Sequence, residues 1–212
     1  MKRILFSLTI MLLTITVNAQ DKHLIDSLET LMKKYEAAKR EFGNHVPALY
    51  DSAAVLIFSE LSNDYSGNDN TKAMDYANQC LSLSEQIGYK KGMGKAYNCF
   101  GNIYTSKGDY IHALEMHNKA LKIREEIKDK SGIADSYTNI GNVYLEQGLS
   151  SEALKNFFIS LKSYEEYADK SGLACCYHNI GSIYQNEGNK EEALKNYFAA
   201  LKINKETGNK QW

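Results

Sequence analysis

The octapeptide YTNIGNVY at residues 137–144 is written twice more in this chain, as YNCFGNIY at 97–104 and as YHNIGSIY at 177–184. The three copies start 40 residues apart. At 100° per residue, Tyr137, Ile140, Gly141 and Tyr144 fall within about 100° of one another, which is the stripe of a half-buried helix. Yet a glycine inside a helix costs roughly 1 kcal/mol relative to alanine, and an asparagine roughly 0.7. Packing has to offset that cost. Gly141 sits in the middle of the stripe and has no side chain, so a neighbouring helix can approach closely there with aromatic rings around the contact. Burial then returns about 25 cal/mol per Å² of apolar surface. The same stripe recurs as Tyr97, Phe100, Gly101, Tyr104 and as Tyr177, Ile180, Gly181, Tyr184.

Working outward, the offset of 40 matches much more than the octapeptide. Gly108, Gly148 and Gly188 align, as do Ala113-Leu114, Ala153-Leu154 and Ala193-Leu194, and then Leu121-Lys122, Leu161-Lys162 and Leu201-Lys202. Self-similarity at such a period signals a stacked helical array. Each unit reads as two antiparallel helices. In the unit starting at Gly132, the first helix is expected over about Ile133 to Gln147, with Gly148 as the left-handed residue that ends it. Ser150 or Ser151 then caps a second helix, about Glu152 to Ala168, and Ser131 and Ser171 stand where caps of first helices are wanted. Upstream, the pattern continues less cleanly as helices over about Pro47 to Tyr65 and Thr71 to Ile87. An amphipathic helix over about Lys22 to Phe42 carries Leu24, Ile25, Leu28, Leu31, Met32 and Tyr35 on one side. The fold class is therefore all-α, built from antiparallel helix pairs.

The set Tyr137, Ile140, Gly141, Tyr144, Gly148, Ala153, Phe157, Ser160 and Leu161 resembles the tetratricopeptide repeat, as do its equivalents one unit before and after. The period is 40 rather than the common 34, and the proline that usually closes a unit is missing. This is similar to the long-helix subtype of kinesin light chains and of exported bacterial sensory proteins. The resemblance implies a right-handed superhelical solenoid. It divides the chain into a capping helix at 20–45, a degenerate unit at 46–91, and full units at 92–131, 132–171 and 172–212. Atypical first units are expected of a cap.

The first nineteen residues stand apart from that array. Lys2 and Arg3 precede an apolar stretch from Ile4 to Val17, and Val17-Asn18-Ala19 is a small-residue cleavage pattern, so residues 1–19 read as a secretory signal peptide. Fourteen apolar residues would span only about 21 Å as a helix, short of a roughly 30 Å hydrocarbon core. The mature chain is accordingly expected in the periplasm with no membrane span. The whole chain, with 25 basic and 26 acidic residues and a net charge of −1, offers no clustered basic surface for nucleic acid.

Reaction chemistry is not legible in the sequence. His23, His45, His112, His117 and His178 show no metal spacing, and His112 and His117 read as solvated helix surface. Glu125-Glu126, Glu165-Glu166 and Glu191-Glu192 sit on outer helix faces or helix starts. Cys80 and Cys176 fill slots held elsewhere by Ala120, Ser160 and Ala200, or by Ala96 and Ser136, and so read as small buried thiols rather than as disulfide partners. The expectation is a non-enzyme with no metal and no cofactor.

A binding role follows from the face opposite the stripe. In successive units it holds Lys95, Asn98 and Asn102; Asp135, Thr138, Asn139 and Asn142; and His178, Asn179 and Ser182. The family resemblance implies that these first-helix positions line a concave groove for an extended peptide or protein segment. Amides suit that task, because each both donates and accepts. Asn98 with Asn102, Thr138 with Asn142, and His178 with Ser182 are one turn apart on one face.

The last helix, about Lys190 to Glu206, is expected to bury Tyr197, Leu201 and Ile203, leaving an open face beyond it. Two readings of that face stand: the chain is the sensory front end of a longer signalling protein with a histidine kinase, nucleotide cyclase or transcription-regulator output, or the face serves self-association.

Overall fold

The computed structural model describes residues 22–43 and 48–208. The expected signal peptide, Pro47, and the final Lys210-Gln211-Trp212 lie outside the described residues. Among those described there are nine α-helices and no strand: α1 Lys22–Phe42, α2 Ala48–Tyr65, α3 Asn70–Gln86, α4 Lys90–Ser106, α5 Tyr110–Glu126, α6 Lys130–Glu146, α7 Ser150–Glu166, α8 Lys170–Asn186 and α9 Lys190–Thr207. Each three-residue turn between packed helices forces an antiparallel pair. The chain is an all-α helical repeat array.

The helices start on carboxylates and amides rather than on the serines the sequence suggested. Asp129 and Asp169 accept from the backbone N–H groups of Gly132 and Gly172 at 3.3 and 3.0 Å, and Asp69, Asp109 and Asn189 cap α3, α5 and α9 in the same way. Ser131 and Ser171 lie inside the first turn. A carboxylate is favoured there over a hydroxyl because its charge also meets the positive end of the helix dipole. Leu149, before α7, makes no side-chain cap, so neither Ser150 nor Ser151 takes that role.

Helix ends follow the glycines. Gly108, Gly148 and Gly188 take φ of 72°, 74° and 79°. Beyond Gly148, Leu149 N–H reaches back to Tyr144 O at 2.9 Å and Gly148 N–H to Leu145 O at 2.9 Å, closing the Schellman arrangement. At the other class of turn, after the second helix of each pair, Gly88 and Gly208 are joined by Lys128 (φ 55°) and Ala168 (φ 59°), which hold the same left-handed conformation with a side chain.

The described chain forms two compact units, one up to Lys107 and one from Gly108. In the first, α1 packs on α2, α2 on α3, and α4 on both. Leu28, Leu31, Met32 and Tyr35 of α1 close its core against Val55, Phe58 and Leu61 of α2, with Cys80 and Leu83 of α3. In the second unit, each helix from α5 to α9 packs on the next. Its α7–α8 contact joins Ala153 and Phe157 to Ile180 and Ile183, and Leu145, Leu154 and Leu161 pack around them.

Small residues recur at buried positions of the repeat: Cys80, Ala120, Ser160 and Ala200 along the second helices, Ala96, Ser136 and Cys176 along the first. The four cysteines are free thiols, with Cys80, Cys99 and Cys176 buried. Burial pushes the Cys80 thiol up to about 12 and the Cys176 thiol up to about 11, the direction of an inert structural sulfur.

The glycines at the heads of first helices are seats for side chains from the preceding helix. A Cβ at Gly172 would lie 2.4 Å from the Tyr164 ring, and one at Gly132 would lie 2.8 Å from Arg124 Cδ. Arg124 is buried there, and its Nη1 donates to Gly132 O at 2.9 Å and to Ser136 Oγ at 2.7 Å. His117, two turns earlier on the same face of α5, is also buried, only 1% exposed, so it is not the solvated surface residue its spacing suggested. His112 does match that description, with Nδ1 2.7 Å from Asp109 Oδ2.

Candidate functional site

In the second unit the polar positions of the first helices lie on α6 and α8. Asn139 and Asn142 of α6, and His178, Asn179 and Ser182 of α8, are all half-buried. The structure joins the two helices through an amide pair: Asn179 Nδ2 donates to Asn142 Oδ1 at 3.1 Å. Ser182 donates to His178 O at 3.1 Å, one turn back on the same helix. His178 packs its ring against Tyr197 of α9, with centroids 5.5 Å apart.

Tyr197 is the member of this surface that the sequence did not identify. Its hydroxyl donates to Gln185 Oε1 at 2.7 Å and lies 3.2 Å from Ser182 Oγ. Its ring covers Gly181, where a Cβ would come within 2.9 Å of Cδ1 and Cε1. The available signal was the Tyr197–Gly181 relation, which repeats Phe157–Gly141 at the period of 40.

Two predicted residues do different work. Thr138 is 7% exposed and points into the packing between α6, α7 and α8, so it does not line a groove. Its hydroxyl lies 2.6 Å from Ser160 Oγ, and Ser160 donates to Ala134 O at 2.8 Å, with Cys176 Sγ 3.6 Å from Ser160. A hydroxyl buried among apolar helices requires such partners. Asp135 is half-buried and accepts from the Tyr164 hydroxyl at 2.6 Å. Burial, with that bond adding to it, holds the Tyr164 phenol well above its ordinary range. Asp135 therefore joins α6 to the end of α7, and helical geometry alone could not show this because Tyr164 lies on another helix.

The first unit carries the remaining three predicted residues on α4. Lys95, Asn98 and Asn102 are half-buried. Asn102 Nδ2 donates to Asn63 Oδ1 of α2 at 3.0 Å, an amide pair between first helices like that of Asn142 and Asn179. At the next residue of α2, burial and the nearby Glu60 carboxylate raise the Asp64 carboxyl above its usual range. Neither Asn63 nor Asp64 was picked out by the sequence, because the octapeptide pattern is lost in α2, where Leu61 replaces its glycine.

Among the described residues no cluster of three or more His, Cys, Asp or Glu side chains is arranged to hold a metal ion. No helix among them is long and apolar enough to cross a membrane.

Comparison with known proteins agrees with this architecture. Among curated proteins, none matches the chain by sequence. Solved structures match it by fold. Aspartyl phosphate phosphatase F from Bacillus subtilis superposes with a TM-score of 0.73 at 18% identity, covering 89% of this chain and 49% of that one. A Rap protein complexed with competence and sporulation factor gives 0.71 at 18% identity, covering 85% and 50%. BtubC from P. vanneervenii gives 0.63 at 16% identity, covering 98% and 92%. The chain thus spans about half the length of the first two, and at these identities the likeness is one of fold. Two family models, each described as tetratricopeptide repeat, match residues 92–157 and 176–207. The chain is an all-α array that carries tetratricopeptide repeats over those two segments.

Proposed function

We propose that this chain is a non-catalytic scaffold that binds an extended peptide or protein segment on the polar surface of its first helices. The observation that carries this reading is the Asn142–Asn179 pair. It uses Asn142 Oδ1 and Asn179 Nδ2, so Asn142 Nδ2 and Asn179 Oδ1 are the donor and acceptor that a peptide C=O and N–H would meet. Asn139, His178 and Ser182 flank the pair and supply side-chain preference. In the first unit, Asn102 and Asn63 repeat the device, with Lys95 and Asn98 beside it. The complex of a Rap protein with competence and sporulation factor supports a ligand-binding use of this fold. The leader-like residues 1–19 support a periplasmic setting for the partner.

The test compares wild type with Asn142→Ala/Asn179→Ala as bait in a pull-down from the periplasmic fraction, followed by titration of the recovered partner. Losing two peptide hydrogen bonds should weaken binding about tenfold or more, while the melting temperature stays within a few degrees. Unchanged affinity together with a large fall in melting temperature would make the amide pair a structural tie between α6 and α8.

A further inference from the structure

The last described helix presents an apolar stripe to solvent. Leu194, Phe198 and Leu201 of α9 are 55%, 65% and 41% exposed, and Leu201 therefore does not reach the core position its repeat equivalents suggested. Those equivalents show what the stripe lacks. One unit earlier, Leu154 and Leu161 of α7 are half-buried against the cluster containing Ile180 and Ile183 of α8. The α9 face carries a shallow depression lined by Phe198, Leu201, Lys202, Lys205 and Glu206.

Charge along this face is ordered. Glu191, Leu194, Phe198, Leu201 and Lys205 share one side of the helix at 100° per residue, with Lys202 at its edge. Glu191 and Lys205 stand equally far from Phe198, seven residues to either side, or about 10 Å along the axis. A helix laid across this face in parallel would need the opposite charge order to its own. A second α9 laid antiparallel has it already. Phe198 would then meet Phe198 on the two-fold axis, Glu191 would meet Lys205 twice, and Leu194 would lie beside Leu201, one residue or about 1.5 Å out of exact register. An isologous two-fold contact needs this kind of self-complementary patch.

We propose that the α9 face is a self-association surface on which a second copy of this chain docks antiparallel about Phe198. One helix pair buries less than the roughly 1,200 Å² of a standard stable interface, so the dimer is weak, with a dissociation constant on the order of 10–100 μM. This surface is separate from the Asn142–Asn179 site, and the two readings can fail independently.

Sedimentation equilibrium of the full chain between about 5 and 500 μM tests the proposal. The expected result is a concentration-dependent rise from monomer to dimer mass. Phe198→Glu should abolish the rise with an unchanged helical circular dichroism spectrum, and Phe158→Glu, at the equivalent exposed position of α7, should leave it intact. Glu191→Lys and Lys205→Glu should each weaken self-association about tenfold or more. Mixed together, the two single variants should associate, since each then supplies the charge the other lacks, and the double variant should regain wild-type affinity. A monomer across the whole range overturns the proposal. So does a dimer that survives Phe198→Glu, or one for which the mixed and double variants stay as weak as the singles.

Discussion

The ring of Phe157 occupies the space that a side chain on Gly141 would need: a Cβ built at residue 141 would lie 2.8 Å from Phe157 Cε1 and 3.0 Å from Cδ1. Phe157 is the largest fully buried side chain of the chain's described residues. The helix-breaking cost of the glycine is thereby exchanged for the burial of a whole aromatic ring, which explains why the motif keeps glycine at its centre.

Gly141→Ala should consequently destabilise the protein despite alanine's better helix propensity. Overpacking against a fixed ring costs about 1–3 kcal/mol, and the propensity gain returns roughly 1. A net loss of up to about 2 kcal/mol is expected in urea denaturation, and adding Phe157→Leu should recover part of it. Net stabilisation by Gly141→Ala would show that the ring moves aside freely.

The left-handed turn residues predict the opposite sign. Lys128 and Ala168 hold φ of 55° and 59°, where glycine serves at 88 and 208. An L-residue in this conformation is strained by roughly 1–2 kcal/mol. Ala168→Gly and Lys128→Gly should each stabilise the fold by about 1 kcal/mol, after allowing for glycine's greater freedom when unfolded. Thermal unfolding of the single and double variants checks both the sign and their additivity.

Asp135 and Tyr164 supply a coupling that a ligand-facing aspartate would lack. Tyr164→Phe and Asp135→Asn should each cost about 1–3 kcal/mol, since the bond is to an ionised carboxylate. The double variant should cost clearly less than the sum, giving a coupling energy of about 1 kcal/mol or more in a double-mutant cycle. Strict additivity would separate the two residues.

His117 makes stability pH-dependent. Burial, with the Arg124 charge adding to it, holds the imidazole down to about 4, against 6.5 for an ordinary histidine. A depressed folded-state value means that the unfolded chain takes up the proton first. The contribution is therefore complete above about pH 6.5 and is lost progressively as pH falls toward 4, by at most a few kcal/mol. His117→Leu should flatten that part of the stability–pH curve, as urea midpoints between pH 7 and 4.5 will show. An unchanged slope would mean the loss comes from other groups.

The octapeptide, its period of 40 and the left-handed Gly148 determined by themselves that the chain is all-α, where its helix pairs lie and which glycines end them. These are local properties, set by periodicity along one helix and by the conformations open to one residue. The small-residue columns through Cys80, Ser136 and Ser160 were legible for the same reason, because a repeated slot reveals its size. Tertiary structure alone decided what the polar residues do. Thr138 and Asn142 stand on one face of α6, yet one turns into the junction with Ser160 and the other pairs with Asn179. Asp135 goes to Tyr164, and His117 and Arg124 go inside, because His117 takes the buried slot that Ala77 and Phe157 fill elsewhere in the repeat and Arg124 the one that Ser84 and Tyr164 fill. Helical spacing fixes a side chain's direction from its own axis, but its partner belongs to another helix, and only the packing of the pair brings the two together.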